Sequence, residues 1–189
     1  MLFRSEYRGV LYAGLMLTHA GPKVLEFNCR FGDPECQPLM ARLESDLLEL
    51  LIATCVGRLA DADVRWSSQS ACCVVMAAHG YPGKPRSGDV ISGLEDASAV
   101  PGVTVYHAGT SRDESGKILT RGGRVLGVTA LGETSLSARE RAYAACRMIS
   151  FPGAQFRTDI GQPQGSNTGA VEPPVARFTS TRSTPPSRV

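Results

Sequence analysis

The hydrophobic pattern of the chain changes in character after Asp61-Ala62-Asp63. Between positions 39 and 59, apolar residues recur at spacings of three and four, which predicts a helix with one apolar face and a break near Ser45 and Asp46. Beyond residue 63, short apolar runs alternate with glycine and proline, which predicts strands. The sequence therefore predicts an α+β fold in two units that meet near residue 61.

The first unit begins with two apolar runs, at residues 8–17 and 23–30. A loop with glycine and proline separates them, so we predict a β-hairpin. Asp33 and Pro34 are typical of a helix start, because aspartate accepts an unpaired amide hydrogen bond and proline is tolerated in the first turn. Residues 1–61 should thus form a hairpin followed by a helix.

The second unit, residues 62–161, has four strand-like runs at 71–78, 103–107, 117–120 and 124–131. Gly122 and Gly123, between the last two runs, predict a tight hairpin turn with positive φ. Ser137 and Glu140 predict a capping box that opens a helix reaching about Ile149. This unit should therefore be a small antiparallel β-rich domain with one helix.

Composition excludes several classes of protein. A formal net charge of +2 without a cluster of basic residues argues against nucleic-acid binding. No apolar stretch approaches the roughly 18 residues that span a membrane. The six cysteines form no paired CxxC units and follow no secretory signal, so we expect reduced, buried thiols in a cytoplasmic protein.

The predicted second strand contains the candidate metal ligands. Side chains two apart on a strand share a face, which sets the polar row Val24, Glu26, Asn28 and Arg30 against the core row Leu25, Phe27 and Cys29. Glu26 and Asn28 would offer two hard oxygen ligands about 7 Å apart, suited to Mg²⁺ held jointly with nucleotide phosphates. The guanidinium of Arg30 suits phosphoryl oxygens. The same row also fits a solvated hairpin face without function.

The stretch around this strand resembles the signature of the glycinamide ribonucleotide synthetases, which are phosphoribosylamine-glycine ligases of the ATP-grasp superfamily. The signature is VLEFNCRFGDPECQP at residues 24–38. Further matching segments follow the family's order: GVLYAGLM at 9–16, SDL at 45–47, VMAAHGYPG at 75–83, HAGT at 107–110, GGRVLGVTA at 122–130 and RTDIG at 157–161. The resemblance covers about residues 6–161.

The resemblance implies the closing hairpin and helix of an ATP-grasp domain, followed by the family's small β-rich domain. It also implies ATP-driven ligation of glycine to phosphoribosylamine through glycyl phosphate, in purine biosynthesis. Glu26 and Asn28 match the family's Mg²⁺ (or Mn²⁺) ligands, with ATP as co-substrate. Arg30 and Asp33 are the catalytic candidates: Arg30 at the transferring phosphoryl group, and Asp33 either positioning glycine or capping the helix. His79, His107, Arg124 and Arg157 receive no catalytic role.

The chain departs from the family in three ways. It lacks the family's N-terminal glycine-rich domain and ATP-gripping lid, so we expect activity only with a separate chain supplying that half. Thr158 stands where the family has lysine in RKDIG. The resemblance stops at Gly161, as after a frameshift or a misjudged gene end. A non-catalytic fragment and another ATP-grasp carboxylase or ligase are the competing hypotheses.

Residues 162–189 are rich in proline, serine, threonine and glycine, and they bury too little apolar surface to offset the entropy of ordering. We therefore predict a disordered tail. Truncation after Gly161 should leave the midpoint of thermal unfolding nearly unchanged, as measured by circular dichroism on both chains. A large drop in that midpoint would mean that the tail packs on the folded part.

Overall fold

The computed structural model describes residues 7–162. The first part of the chain contains β1 (Tyr12–Thr18), β2 (Gly21–Asn28), α1 (Cys36–Arg42), α2 (Leu47–Cys55) and a 3₁₀ turn (Leu59–Asp61). The remainder contains β3 (Ser70–Ala77), α3 (Leu94–Ser98), β4 (Val103–His107), β5 (Thr110–Arg112), β6 (Ile118–Thr120), β7 (Arg124–Gly132) and α4 (Ser135–Met148). The fold mixes helices with antiparallel sheets, as predicted.

The predicted hairpin is confirmed, because β1 and β2 pair in antiparallel fashion from Tyr12–Asn28 to Thr18–Gly21. The register shifts after Gly14: Gly14 pairs with Glu26, whereas Leu15 pairs with Val24. β2 therefore has one extra residue at this β-bulge. Since directly paired residues share a face, Val24 lies with Leu15 and not with Glu26. The predicted alternation is wrong for Val24.

The predicted core face of the hairpin is exposed. Leu25 and Phe27 keep 63% and 62% of their accessible surface, and Leu17 keeps 77%. The hydrophobic pattern correctly marks this face as apolar, but no part of residues 7–162 buries it. β2 also ends at Asn28, so Cys29 and Arg30 lie beyond the strand on which they were predicted.

The predicted break in the helical region is confirmed, because α1 and α2 are separate helices. Asp46 opens α2, where its Oδ1 accepts hydrogen bonds from the backbone N–H groups of Leu48 (2.7 Å) and Glu49 (3.2 Å). The predicted cap by Asp33 is wrong. α1 starts at Cys36 after Glu35 without a side-chain cap, and the Asp33 carboxylate instead pairs with Arg124.

The second unit is built on a three-stranded antiparallel sheet in the order β3-β7-β4. α4 packs on one face of this sheet and contributes the small side chains of Ala138, Ala142 and Ala145, so its backbone can approach closely. Val74 and Met76 of β3 are fully buried beneath it. Full burial of such side chains stabilises the fold by roughly 1.5–3 kcal/mol each.

α1 lies on the opposite face of the sheet. It contacts β3 and β7, and a Cβ added to Gly127 would lie 3.5 Å from Cys73 Sγ and 3.7 Å from Gln37 Nε2. Since Gln37 belongs to α1, this helix packs directly on the sheet of the second unit. The short helix α3 and the strand β5 were not predicted from the sequence, so the prediction of one helix in this unit is wrong.

The predicted hairpin turn at Gly122 and Gly123 is wrong. β6 pairs with β5, whereas β7 pairs with β3 and β4, and neither glycine has positive φ. These glycines serve close packing instead. A Cβ on Gly123 would lie 2.4 Å from the Tyr81 ring, and a Cβ on Gly122 would lie 3.1 Å from the Cα of Gly109. A side chain at Gly123 would force the Tyr81 ring away.

The predicted capping box of α4 is displaced by one turn. Thr134 is the N-cap: its Oγ1 accepts from the backbone N–H of Ser137 (3.1 Å), and Ser137 Oγ accepts from the backbone N–H of Thr134 (3.0 Å). The helix therefore begins at Ser135 and ends at Met148, before Ile149. The predicted tail lies outside the described residues, except for Gln162. Over residues 7–162, no helix combines the length and the apolar character that a bilayer crossing requires.

All six cysteines lie in the described region and are unpaired. Cys72 and Cys146 are buried, as predicted, whereas Cys29 and Cys55 are exposed and contradict the prediction of buried thiols. Burial raises the pKa of the Cys146 thiol to about 12. Because the thiolate is the reactive form, burial and protonation both protect this residue.

We therefore expect iodoacetamide at mildly alkaline pH to modify Cys29 and Cys55 in the native protein, and Cys72 and Cys146 only in denaturant. Mass spectrometry of peptides after timed quenching measures each site separately. Modification of native Cys146 as fast as Cys55 would contradict the packing of α4 on the sheet.

Candidate functional site

The structure brings Glu26 and Asn28 together near the end of β2, as the alternation predicts. Asn28 Nδ2 donates to Glu26 Oε1 at 3.1 Å. On the opposite strand, Gly14 faces Glu26, and a Cβ there would lie 3.1 Å from Glu26 Cγ. Glycine at position 14 thus leaves room for the Glu26 side chain to lie across the hairpin.

Tyr12 and Glu35 belong to the same neighbourhood, and sequence reasoning missed both. Tyr12 pairs with Asn28, and its hydroxyl donates to Glu35 Oε1 at 3.2 Å. Desolvation, followed by the negative charges of Glu35 and Glu26, raises the pKa of Tyr12. The pairing of Tyr12 with Asn28 depends on the register of the hairpin, which the sequence pattern did not specify.

The donor set of this row fits a hard divalent cation. Glu26 offers carboxylate oxygens, and Asn28 offers its amide oxygen because its amide nitrogen is engaged with Glu26. Within residues 7–162, no three histidine, cysteine, aspartate or glutamate side chains are grouped to hold a metal ion. A cation held here would therefore take most of its ligands from water or from phosphate oxygens.

Arg30 does not continue the row of Glu26 and Asn28, because the strand has ended. Its Nη1 donates to the backbone carbonyl of the next residue, Phe31, at 2.8 Å. The predicted alignment of Arg30 with Glu26 and Asn28 is therefore wrong. Its contact with a phosphoryl group stays a prediction.

Asp33 and Arg124 form an ion pair across 91 residues of sequence. Arg124 Nη2 lies 3.0 Å from Asp33 Oδ2, and Arg124 Nη1 donates to the Asp33 backbone carbonyl at 3.2 Å. Sequence analysis gave Arg124 no role. The structure places it at the loop that joins β2 to α1.

A cleft of about 660 Å³ opens beside this ion pair. Its floor includes Val75, Ala77 and Phe156, and charged side chains at its border include Glu35, Arg124 and Arg157. Arg157 donates from Nε and Nη2 to the two carboxylate oxygens of Asp159, which raises the pKa of Arg157 and lowers that of Asp159. Both arginines at the cleft are thus matched with an aspartate.

Sequence analysis gave His79 and His107 no catalytic role. His107 Nδ1 is 3.1 Å from Thr110 Oγ1. The His79 side chain packs against Gly153. A Cβ added to Gly153 would lie 2.5 Å from the Cβ of His79. Neither lines the cleft.

Two family models match this chain. The model described as "Phosphoribosylglycinamide synthetase, ATP-grasp (A) domain" matches residues 3–36. The model described as "Phosphoribosylglycinamide synthetase, C domain" matches residues 71–163. The first covers the hairpin and the loop before α1, and the second covers the sheet, α3 and α4.

Curated relatives agree with the family models. A chloroplastic phosphoribosylamine-glycine ligase of Arabidopsis thaliana is 54% identical over 159 residues, which is 82% of this chain and 30% of the relative. A phosphoribosylamine-glycine ligase of Caulobacter vibrioides is 54% identical over 158 residues, which is 83% of this chain and 37% of the relative. The chain thus spans about a third of the length of these relatives.

Solved structures give the same result. The phosphoribosylamine-glycine ligase of Thermotoga maritima superposes with a TM-score of 0.66 at 34% identity, over 79% of this chain and 36% of that one. The N5-carboxyaminoimidazole ribonucleotide synthetase of the same organism superposes with a TM-score of 0.52 at 19% identity, over 76% of this chain and 37% of that one, which shows the fold alone. From the signature hairpin through α4, the chain belongs to the phosphoribosylglycinamide synthetase family.

Proposed function

We propose that this chain is the C-terminal portion of a phosphoribosylamine-glycine ligase, which joins glycine to phosphoribosylamine at the expense of ATP. The observation that carries the proposal is the paired oxygen row of Glu26 and Asn28 on a hairpin that matches the family's ATP-grasp model. The names of the relatives supply the reaction. Residues 1–61 would then close the ATP-grasp domain, and residues 62–161 would form the C domain.

The proposed reaction has two steps. The glycine carboxylate attacks the γ-phosphorus of ATP, and ADP leaves with the electron pair of the broken P–O bond, which gives glycyl phosphate. The amine of phosphoribosylamine then attacks the acyl carbon, phosphate leaves, and the amine loses a proton. Glu26 and Asn28 would hold a Mg²⁺ or Mn²⁺ ion, which would supply positive charge against the phosphates in the first step.

Four residues of this chain would serve these steps. Glu26 and Asn28 hold the cation through their oxygens. Arg30 donates hydrogen bonds to the phosphoryl oxygens as their charge shifts, once its guanidinium leaves the Phe31 carbonyl. The Asp33 carboxylate orients glycine through the glycine ammonium group.

A separate chain would supply the ATP-binding half. The apolar hairpin face supports this part of the proposal, because Leu15, Leu17, Val24 and Phe27 are all more than half exposed. A large exposed apolar face usually marks a contact with another protein surface. Six unpaired thiols favour a reducing compartment, so we place the chain in the cytoplasm, although the Arabidopsis relative is chloroplastic.

The alternative is a fragment that keeps the fold without turnover. The short span of the chain relative to its relatives, and a metal row with two ligands, favour this alternative. The two proposals differ only in turnover, so a reconstituted reaction separates them.

We expect glycine-dependent ADP release when this chain is mixed with the separately produced portion of the Caulobacter relative that precedes the matched region. Glu26→Gln should lower the rate by at least about 100-fold, because it weakens a metal ligand, whereas Glu44→Gln on the surface should not. A coupled assay for ADP measures both. No release above that of either half alone would favour the non-catalytic fragment.

The chain alone should bind Mg²⁺ weakly, with a dissociation constant on the order of millimolar or above, because two protein oxygens leave most of the coordination sphere to water. Isothermal titration calorimetry measures this, with Glu26→Gln as the variant that weakens binding further. Micromolar affinity would show that further ligands complete the site.

A further inference from the structure

We propose that Arg124 is a positioning residue for the loop of residues 29–35, which joins the metal-bearing strand β2 to α1. This inference rests on the proposed function, in which the loop presents Asp33 to glycine. Arg124 reaches the loop from the second unit and grips Asp33 at two points. It would act on the reaction only through Asp33.

The backbone of Arg124 is held firmly in the central sheet. Its carbonyl accepts a hydrogen bond from Gly109 N–H (2.9 Å). The residues on either side are anchored as well, since Gly123 O accepts from Ala78 N–H (2.8 Å) and Val125 O accepts from Ala108 N–H (3.0 Å). Val125 is fully buried. The base of the Arg124 side chain therefore has a fixed position.

The far end of the Arg124 side chain constrains both the side chain and the main chain of Asp33. Nη2 contacts the carboxylate at 3.0 Å, and Nη1 contacts the backbone carbonyl at 3.2 Å. The two side chains are 43% and 52% exposed, so the pair adds little stability by charge alone. Its importance is geometric, because a planar guanidinium that meets two acceptors fixes direction as well as distance.

A second anchor holds the C-terminal end of the same loop. Tyr12 of β1 donates to Glu35, whose carboxylate lies so close to Gly32 that a Cβ there would be 2.3 Å from Glu35 Oε2. The Gly32 carbonyl accepts from Cys36 N–H at 3.0 Å. Asp33 thus lies between an anchor from the hairpin and an anchor from the sheet, and release of Arg124 would free one side.

The rival role for Arg124 is direct binding of an anion in the adjacent cleft. Both contacts of its terminal nitrogens go to Asp33, which favours positioning. The two roles also predict different behaviour in a double-mutant cycle. If Arg124 acts through Asp33, removing both groups should cost no more than the larger of the two single removals.

The test uses hydrogen exchange of the full chain without any ligand. In Arg124→Met and in Asp33→Asn, amides of residues 29–36 should exchange about two- to fivefold faster than in the wild type, as expected for loss of an exposed ion pair. The double variant should exchange no faster than Arg124→Met, because that variant already loses both contacts with Asp33. The exchange rate in Arg124→Lys should fall between those of Arg124→Met and the wild type, because lysine keeps the positive charge but not the two-nitrogen geometry of the guanidinium.

Arg58→Met serves as the matched control, since it breaks another exposed Arg–Asp pair, with Asp61, that includes no residue of the loop. It should leave exchange of residues 29–36 unchanged, and peptides from β3 and β7 should stay protected in every variant. Unchanged exchange in Arg124→Met, or additive effects in the double variant, would overturn the proposal. Hydrogen exchange needs no turnover, so its result can be interpreted even if the proposed function is wrong.

In the reconstituted reaction, Asp33→Asn should raise the KM for glycine, Arg124→Met should raise it by no more than Asp33→Asn does, and both should leave the KM for phosphoribosylamine unchanged. The double variant should resemble Asp33→Asn, and Arg124→Lys should recover part of the loss caused by Arg124→Met. A higher KM for phosphoribosylamine in Arg124→Met alone would show that Arg124 binds that substrate directly, which would overturn its role as a positioning residue.

Discussion

The fold of the second unit depends on β7, which is paired along both edges and covered on both faces. β3 and β4 flank this strand in antiparallel register, α4 packs beneath it, and α1 lies above. Six consecutive residues of β7, from 125 to 130, are buried. A strand in this position has little freedom to shift, so the residue at its beginning, Arg124, is a firm base from which to reach the neighbouring loop.

Local patterns predicted most of the elements. Short apolar runs between glycine and proline predicted β3, β4 and β7 nearly to the residue. The break at Asp46 was visible because aspartate caps helices. Pairing could not be predicted in the same way. Nothing near Gly122 and Gly123 in sequence indicates that β6 pairs with the preceding strand, β5, or that the glycines make room for Tyr81 and Gly109.

In the candidate site, too, local relations could be predicted from the sequence and long-range contacts could not. Alternation along one strand brought Glu26 and Asn28 together, because that relation is local. Tyr12 and Arg124 enter the site through register and tertiary packing, from 16 and 91 residues away from their respective partners, Asn28 and Asp33. The bulge after Gly14 also moved Val24 to the apolar face, and no single-strand pattern reveals an extra residue in a ladder.

The hairpin has a further consequence for handling the protein. β1 and β2 form a sheet of two strands, and within residues 7–162 no third strand pairs with either outer edge. Open edges beside exposed leucine and phenylalanine side chains are a template for edge-to-edge assembly of identical molecules. The chain should therefore be prone to aggregate as it is concentrated, and a lysine placed at an edge should oppose this assembly.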